Sequence, residues 1–132
     1  WFIDVLVYDQ KPEYQVQKRL TFKQAATGDS GIETLLASSL ELYHNQSLKL
    51  DTIIAALTSN PAKILKINKG NLSIGEDADF SIVDINKPWV VKKEKIVSKS
   101  KNTSLDEKKL QGKVLNTFIK GEELFKLWLM NI

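Results

Sequence analysis

The sequence predicts an α/β region over residues 1–67 followed by a β region over residues 68–132. A nearly continuous run of β-branched and aromatic residues at positions 2–8 predicts a strand that is covered on both faces. Three segments with helical spacing of apolar residues follow it, and from residue 71 onward short apolar runs alternate with polar turns. One strand followed by three helices fits the end of a barrel better than a free-standing α/β domain.

The predicted first strand ends directly before Asp9. Asp4 interrupts the apolar run, so we expect the buried part of the strand to begin at Val5. Catalytic groups in a (β/α)8 barrel lie at the C-terminal ends of the strands, which makes Asp9 a candidate catalytic carboxylate. A residue that only caps the following turn also fits this place, and position alone favours that simpler interpretation.

A polar loop over residues 10–28 separates this strand from the first predicted helix, and loops of this length are often functional. Gly28 leaves backbone N–H groups able to approach a ligand closely. Ser30 and Glu33 match a capping box, which predicts a helix that has Ser30 as its N-cap and runs to His44. Its apolar residues recur at helical spacing: Ile32, Leu35, Leu36, Leu40 and Tyr43.

His44 is the only histidine, and the chain contains no cysteine. Since a zinc site needs several convergent ligands, we interpret His44 as a surface residue at the C-terminal end of its helix. A second helix is predicted over residues 50–58. A short third helix is predicted to have Asn60 as its N-cap, Pro61 in its first position and a stop at residues 69–70.

The β region is predicted to contain five strands, at residues 71–74, 79–84, 89–91, 112–119 and 123–127. Tight turns are expected at residues 75–77 and 120–122, and Trp89 is expected to anchor the core. The polar residues 98–106, here termed the crossing loop, are expected to cross the structure between two strands. The apolar tail, residues 124–132, predicts a last strand, with a contact to a partner protein as the alternative.

The chain carries 19 basic and 16 acidic side chains, and Arg19 is its only arginine. Because bidentate contacts to bases and phosphates are made mostly by arginine, we interpret the lysine-rich face of the β region as solvated and expect no nucleic-acid partner. The sequence shows no apolar run as long as a membrane span and no signal-peptide pattern, so we expect no membrane partner. Together with the absence of cysteine, and so of disulfides, these features favour a cytoplasmic protein. Because Trp1 lies inside a predicted strand, we expect the chain to be a piece of a longer protein.

Three blocks around the third helix carry a resemblance to a known superfamily: residues 60–63, 69–70 and 74–80. They read Asn-Pro-Ala-Lys, Lys-Gly and Ile-Gly-Glu-Asp-Ala-Asp-Phe, and they resemble the C-terminal region of amidohydrolases. The resemblance implies a metal-dependent (β/α)8 barrel followed by the C-terminal part of a composite β-sandwich. Residues 1–67 would then be the last strand, substrate loop and helices of the barrel, and residues 68–132 the sandwich segment.

Three further matches are similar to dihydroorotases in particular, in the same order along the chain: residues 3–5 with 9–12, residues 18–25 with 28–34, and residues 98–103 with 110–114. In that family they correspond to the eighth barrel strand, to the substrate loop with the helix after it, and to a C-terminal crossing loop with its strand. Allantoinases and dihydropyrimidinases share the Asn-Pro-Ala and Gly-x-Asp-Ala-Asp blocks. The resemblance to dihydroorotases covers nearly the whole chain.

This resemblance implies an enzyme of pyrimidine biosynthesis that interconverts carbamoyl aspartate and dihydroorotate. In the family a zinc-activated hydroxide attacks the cyclic amide while a carboxylate moves the proton. Asp9 matches that carboxylate, which also contacts the metal, and Glu13, Thr27 and Gly28 match substrate-binding positions. The family's other ligands, a His-x-His pair, a carboxylated Lys and further His residues, lie upstream and are absent from this chain. The chain alone is therefore not expected to be active.

The implied partners are the upstream barrel of the same protein, a small-molecule substrate, and either a second copy in a homodimer or aspartate transcarbamoylase. Two positions depart from the family pattern, Gln10 where His is usual and Glu13 where His or Gln is usual. A negative side chain at position 13 would repel the carboxylate of the substrate at short range. Two alternatives therefore stay open: a non-catalytic homologue that is a structural partner of aspartate transcarbamoylase, and a degenerate remnant.

Overall fold

The computed structural model describes residues 3–127, apart from the side chain of Gln15. Within this range the helices come first, as α1 (Gln15–Lys18), α2 (Leu35–His44), α3 (Leu50–Leu57) and α4 (Ser59–Leu65). The strands follow, as β1 (Phe80–Val90), β2 (Lys109–Ile119) and β3 (Glu122–Lys126), with a 3₁₀ turn at Lys93–Lys95. A helical region thus precedes a β region, in the predicted order.

Residues 3–8 do not form the predicted strand and have irregular backbone. A strand is stable when its N–H and C=O groups bond to a neighbouring strand, and the described part of the chain places no strand beside this segment. One backbone bond, from Leu6 N to the Ala56 carbonyl (3.0 Å), ties it to α3. Ile3 and Val7 remain exposed. An apolar sequence alone was therefore insufficient to make this strand.

Helix α2 begins at Leu35 with Thr34 as its N-cap, and Ser30 is not the N-cap that the capping box predicts. The Ser30 hydroxyl donates instead to the Ser100 carbonyl (3.2 Å). The Glu33 carboxylate accepts from the backbone N–H of Val97 (2.8 Å). Both capping side chains are therefore engaged by a distant segment of the chain, and the capping-box prediction is wrong.

Helix α3 follows its prediction, and Ile53 on its inner face is fully buried. Helix α4 begins at Ser59, so Asn60 lies inside the helix and is not its N-cap. The Asn60 side-chain amide donates to the Asp4 carbonyl (2.8 Å) instead. The helix ends before Lys66, which adopts left-handed backbone (φ 55°), ahead of the predicted stop at the Lys-Gly pair.

The strands form one antiparallel sheet in the order β1-β2-β3. Strand β1 is continuous where the sequence predicts two strands, at 79–84 and 89–91. Its pairing with β2 shifts register between Asp84 and Pro88. Proline has no N–H to donate, and it is tolerated here because β1 lies at an edge of the sheet. The predicted strand at residues 71–74 is absent, since these residues form irregular backbone and a turn.

Two predicted turns form around glycines. Gly75 has φ 92°, and the hairpin between β2 and β3 turns at Lys120 (φ 52°) and Gly121 (φ 80°). Positive φ at both central residues is typical of two-residue hairpins, so Glu122 belongs to β3 and not to the turn. The part of the apolar tail at residues 124–126 is the predicted last strand; residues 1–2 and 128–132 lie outside the described range.

The core lies where α2 packs against the sheet. Its buried cluster consists of Ala37, Val91 and Leu110, with Trp89 and Leu105 partly buried against it. Gly112 in β2 permits the close approach of Leu40, because a Cβ at position 112 would lie 2.5 Å from Leu40 Cδ1. Trp89 anchors this core as expected, and its indole N–H donates to the Gly112 carbonyl (2.9 Å).

Candidate functional site

Two N-terminal segments that carry the predicted site residues lie against each other: residues 9–13 and residues 27–31, the latter termed the Gly28 loop. Gly28 has φ 137°, and a side chain there would overlap the Lys11 carbonyl. Only glycine combines this backbone conformation with so close an approach. The structure therefore brings Thr27 and Gly28 next to the segment that contains Asp9 and Glu13.

The crossing loop contacts both segments. The Ser100 hydroxyl donates to the Glu13 carbonyl (2.5 Å). The Asn102 side-chain amide donates to the Gly28 carbonyl (3.2 Å), and the Asn102 carbonyl accepts from Ser30 N (2.9 Å). The sequence predicts that this loop crosses the structure between its flanking strands; these strands, β1 and β2, are neighbours in the sheet, and the loop extends from them to both N-terminal segments. These contacts define the candidate site.

Asp9 is exposed at this site. Within residues 3–127 its carboxylate forms no hydrogen bond and no ion pair, so it is not committed to capping a turn. The neighbouring Gln10 has a structural contact, because its side-chain oxygen accepts from Ile32 N (3.2 Å). Asp9 is therefore available to a ligand, whereas Gln10 holds the segment to the turn before α2.

Glu13 lies at the inner side of the same segment. Its side chain is only 17% exposed, and its carboxylate is 3.8 Å from Lys11 Nζ. An ammonium group at this distance offsets part of the negative charge of Glu13. The repulsion of an anionic ligand that the sequence predicts at position 13 is thus weakened by a neighbour two residues away.

The Gly28 loop presents backbone donors. The N–H groups of Thr27, Gly28 and Asp29 donate to no acceptor within residues 3–127. Successive backbone N–H groups of this kind are suited to bind carbonyl or carboxylate oxygens. This arrangement agrees with the expectation that backbone N–H groups around Gly28 are able to approach a ligand.

Asp29 connects three segments, and sequence reasoning missed it. Its carboxylate accepts from Ser104 N (3.1 Å), Ser104 Oγ (2.5 Å) and Ser30 N (2.8 Å). Burial raises the pKa of the Tyr8 phenol, and the charge of Asp29 and its hydrogen bond to the phenol raise it further. An Asp beside a loop glycine suggests local bonds to backbone, but no local pattern points to Ser104.

The described residues do not form a metal site by themselves. Within residues 3–127 no group of three or more His, Asp or Glu side chains is placed to hold a metal ion. Zinc sites use three or four convergent protein ligands, and Asp9 offers one carboxylate. His44 is half-buried, and its Nε2 lies 3.0 Å from the Ile85 carbonyl, so it joins α2 to β1 and is less exposed than predicted.

A groove of about 690 Å³ lies elsewhere, between α2 and the sheet, and none of the predicted site residues lines it. In this groove Lys113 Nζ lies 3.4 Å from the centroid of the Trp89 ring. Burial lowers the pKa of the Lys113 amine.

Among the described residues no helix is long and apolar enough to cross a membrane.

The sequence model of the amidohydrolase family matches residues 6–124. The chain belongs to this family. Two curated relatives are dihydroorotases: the one from Ehrlichia canis (strain Jake) is 40% identical over 123 residues, 93% of this chain and 28% of the relative. The one from Aquifex aeolicus (strain VF5) is 39% identical over 124 residues, 94% of this chain and 29% of the relative. The predicted resemblance is confirmed, and this amidohydrolase chain spans less than a third of each relative's length.

Solved structures of related amidohydrolases share the fold. Dihydropyrimidinase from Brevibacillus agri NCHU1002 superimposes with a TM-score of 0.85 at 18% identity, over 93% of this chain and 28% of that one. L-hydantoinase from Arthrobacter aurescens gives a TM-score of 0.73 at 28% identity, over 79% of this chain and 24% of that one. The arrangement of helices and sheet is therefore that of a part of the amidohydrolase fold.

Proposed function

We propose that this chain is the C-terminal part of a dihydroorotase-type cyclic amidohydrolase, which interconverts carbamoyl aspartate and dihydroorotate. Residues 1–67 would complete a (β/α)8 barrel, and residues 68–132 would contribute to a β-sandwich. The similarity to dihydroorotases over more than nine-tenths of the chain supports the choice of substrate. The remainder of the barrel would supply the pairing partners that residues 3–8 lack.

The observation that carries the proposal is the contact between the Gly28 loop and the segment of Asp9. Asp9 has a carboxylate without a partner in residues 3–127, which leaves both of its oxygens available to accept and return a proton. The N–H groups at Thr27 and Gly28 would bind oxygens of the substrate ring. Glu13, with its charge partly offset by Lys11, would line the substrate site.

The rest of the reaction centre would come from the remainder of the protein. Zinc would activate the attacking water when bound, and Asp9 would supply one of its ligands. The other ligands would be contributed by the upstream barrel strands. The isolated chain is therefore proposed to be inactive, and the full-length protein to act on a small cyclic amide in pyrimidine biosynthesis in the cytoplasm.

Hydrolysis of dihydroorotate by the full-length protein tests this proposal. We expect Asp9→Asn to lower kcat by about 10²- to 10⁴-fold, the usual contribution of a general acid–base residue. Asp51→Asn is the matched control, because Asp51 is exposed on α3 and remote from the site in sequence. Full activity of Asp9→Asn would remove Asp9 from the reaction.

A second candidate function is that of a non-catalytic homologue that binds aspartate transcarbamoylase. The half-buried negative side chain of Glu13 favours it, because the position faces an anionic substrate in the proposed reaction. Zinc analysis and a dihydroorotate assay on the full-length protein separate the two functions. A protein without zinc and without turnover that co-purifies with aspartate transcarbamoylase would establish the second, and one that binds neither would be a remnant.

A further inference from the structure

Asn102 of the crossing loop holds the Gly28 loop through two hydrogen bonds. Its side-chain amide donates to the Gly28 carbonyl (3.2 Å). Its backbone carbonyl accepts from the N–H of Ser30 (2.9 Å), a residue that is only 2% exposed. Asn102 therefore fixes the peptide groups on both sides of Asp29 from a position more than seventy residues away in the sequence.

The bond to the Gly28 carbonyl also determines where a backbone donor points. A peptide bond is planar and trans, so its C=O and N–H groups point in opposite directions. The Gly28 carbonyl faces Asn102, and the N–H of Asp29 in the same peptide group therefore faces away from the crossing loop. This N–H is one of the donors without an acceptor within residues 3–127.

A second link holds the same loop. Ser104 donates to the Asp29 carboxylate from its hydroxyl (2.5 Å) and from its backbone N–H (3.1 Å). The charge of the same carboxylate helps to raise the pKa of the phenol of Tyr8, which precedes Asp9. The crossing loop therefore hydrogen-bonds to the Gly28 loop at Gly28, Asp29 and Ser30. Its Ser100 bonds residues 9–13 at the Glu13 carbonyl.

We propose that Asn102 is a positioning residue for substrate binding, which orients the Asp29 N–H of the Gly28 loop toward a cyclic amide such as dihydroorotate. The Ser104–Asp29 contact supports it by holding the loop in place. This inference rests on the proposed function and assigns to the β region a role in substrate affinity. Asn102 acts through the Gly28 peptide and makes no contact with reacting atoms.

Steady-state hydrolysis of dihydroorotate by the full-length protein tests the inference. Asn102→Asp keeps the shape of the side chain but removes the N–H donor to Gly28. We expect KM to rise about tenfold, the effect of losing one hydrogen bond of ordinary strength, with kcat changed less than about twofold. Asn86→Asp is the matched control, because Asn86 is exposed in β1 and its side chain bonds nothing within residues 3–127.

The Ser104 variants give a second measurement that stands if Asn102→Asp fails to fold. Ser104→Ala should raise KM by a few-fold, and Ser104→Thr, which retains the hydroxyl, should restore the wild-type value. Unchanged KM in Asn102→Asp and Ser104→Ala, or equal falls of kcat with no change of KM, would overturn the inference while leaving the role of Asp9 intact. A wild-type protein that neither binds nor hydrolyses dihydroorotate would overturn the proposed function and this inference together.

Discussion

The sheet and the segment before α1, residues 3–14, satisfy their backbones in different ways. Strands β1 and β2 each span 11 residues and pair with each other, whereas residues 3–14 donate a single described backbone hydrogen bond, from Leu6. Both regions contain apolar, β-branched sequence. The difference shows that apolar, β-branched sequence permits a strand, but that the strand forms only where a neighbouring strand bonds its N–H and C=O groups.

The same two regions also have different proposed roles. The candidate reactive groups lie in the poorly paired N-terminal loops. The crossing loop, which joins β1 to β2, reaches those loops and holds them at Glu13, Gly28 and Asp29. A well-paired scaffold thus stabilises irregular segments that carry the proposed chemistry, which is a common division in proteins.

The largest expected effect concerns the contact between α2 and the sheet. Leu40 is fully buried, so Leu40→Ala should lower the free energy of unfolding by about 2–5 kcal/mol, as large-to-small core substitutions do. Urea denaturation of the full-length protein measures it. Ile54→Ala is the control, because Ile54 is 39% exposed on α3 and should cost much less.

Gly112→Ala sharpens that prediction. Alone it should destabilise the fold by about 1–3 kcal/mol, because the added methyl group meets Leu40 Cδ1 and because φ 107° is unfavourable for a residue with a side chain. In the Leu40→Ala background the methyl group has space, so its cost should be smaller. Additive losses would show that the two residues do not share this contact.

A smaller effect is expected at Glu33, whose carboxylate accepts from the N–H groups of Val97 (2.8 Å) and Ser98 (3.4 Å). Glu33→Ala should lower stability by about 1 kcal/mol and increase amide hydrogen exchange at Val97 and Ser98. Glu94→Ala serves as the control, since Glu94 is exposed in the 3₁₀ turn. Faster exchange in the first turn of α2 instead would restore the capping-box interpretation.

The smallest effect is a pH dependence at Tyr8. Burial, together with the charge and hydrogen bond of Asp29, raises the pKa of the Tyr8 phenol above its ordinary value near 10. The folded state therefore holds this proton more tightly than the unfolded state, so the contribution is present below pH 10 and is lost as the pH rises through the folded pKa. Tyr8→Phe should remove that part of the alkaline loss of stability, measured as the difference between melting temperatures at pH 8 and above pH 10.

Asp29→Asn provides the matching variant for this measurement. Because Asp29 raises the pKa of Tyr8, removing its charge should lower that pKa, as followed by NMR of tyrosine ring carbons. Burial of Tyr8 stays, so the pKa should fall only part of the way to its ordinary value. An unchanged pKa would mean that the phenol and the carboxylate do not interact.

The parts of the fold that were predictable depend on near neighbours in the chain. Helix α3 follows from its apolar spacing around Ile53, and the hairpin turn follows from Gly121. The start of α2 was mispredicted because Ser30 and Glu33 satisfy the local capping pattern and yet bond residues 64 to 70 positions away. Two predicted strands merged into β1 because β2 is long enough to pair with both.

By itself the sequence determined the family, the helix-then-sheet order, and the candidate residues Asp9, Thr27 and Gly28. These features depend on apolar periodicity, turn glycines and motif blocks, which are properties of neighbouring residues in the chain. They can therefore be predicted without knowing which distant segments pack against them. Only the tertiary structure decided that the side chains of Ser30 and Glu33 hydrogen-bond to backbone at residues 97–100. It also decided that Asn102 and Ser104 hold the Gly28 loop. A polar group can bond any partner that the fold brings within about 3 Å, and nothing in the local sequence says which partner that will be.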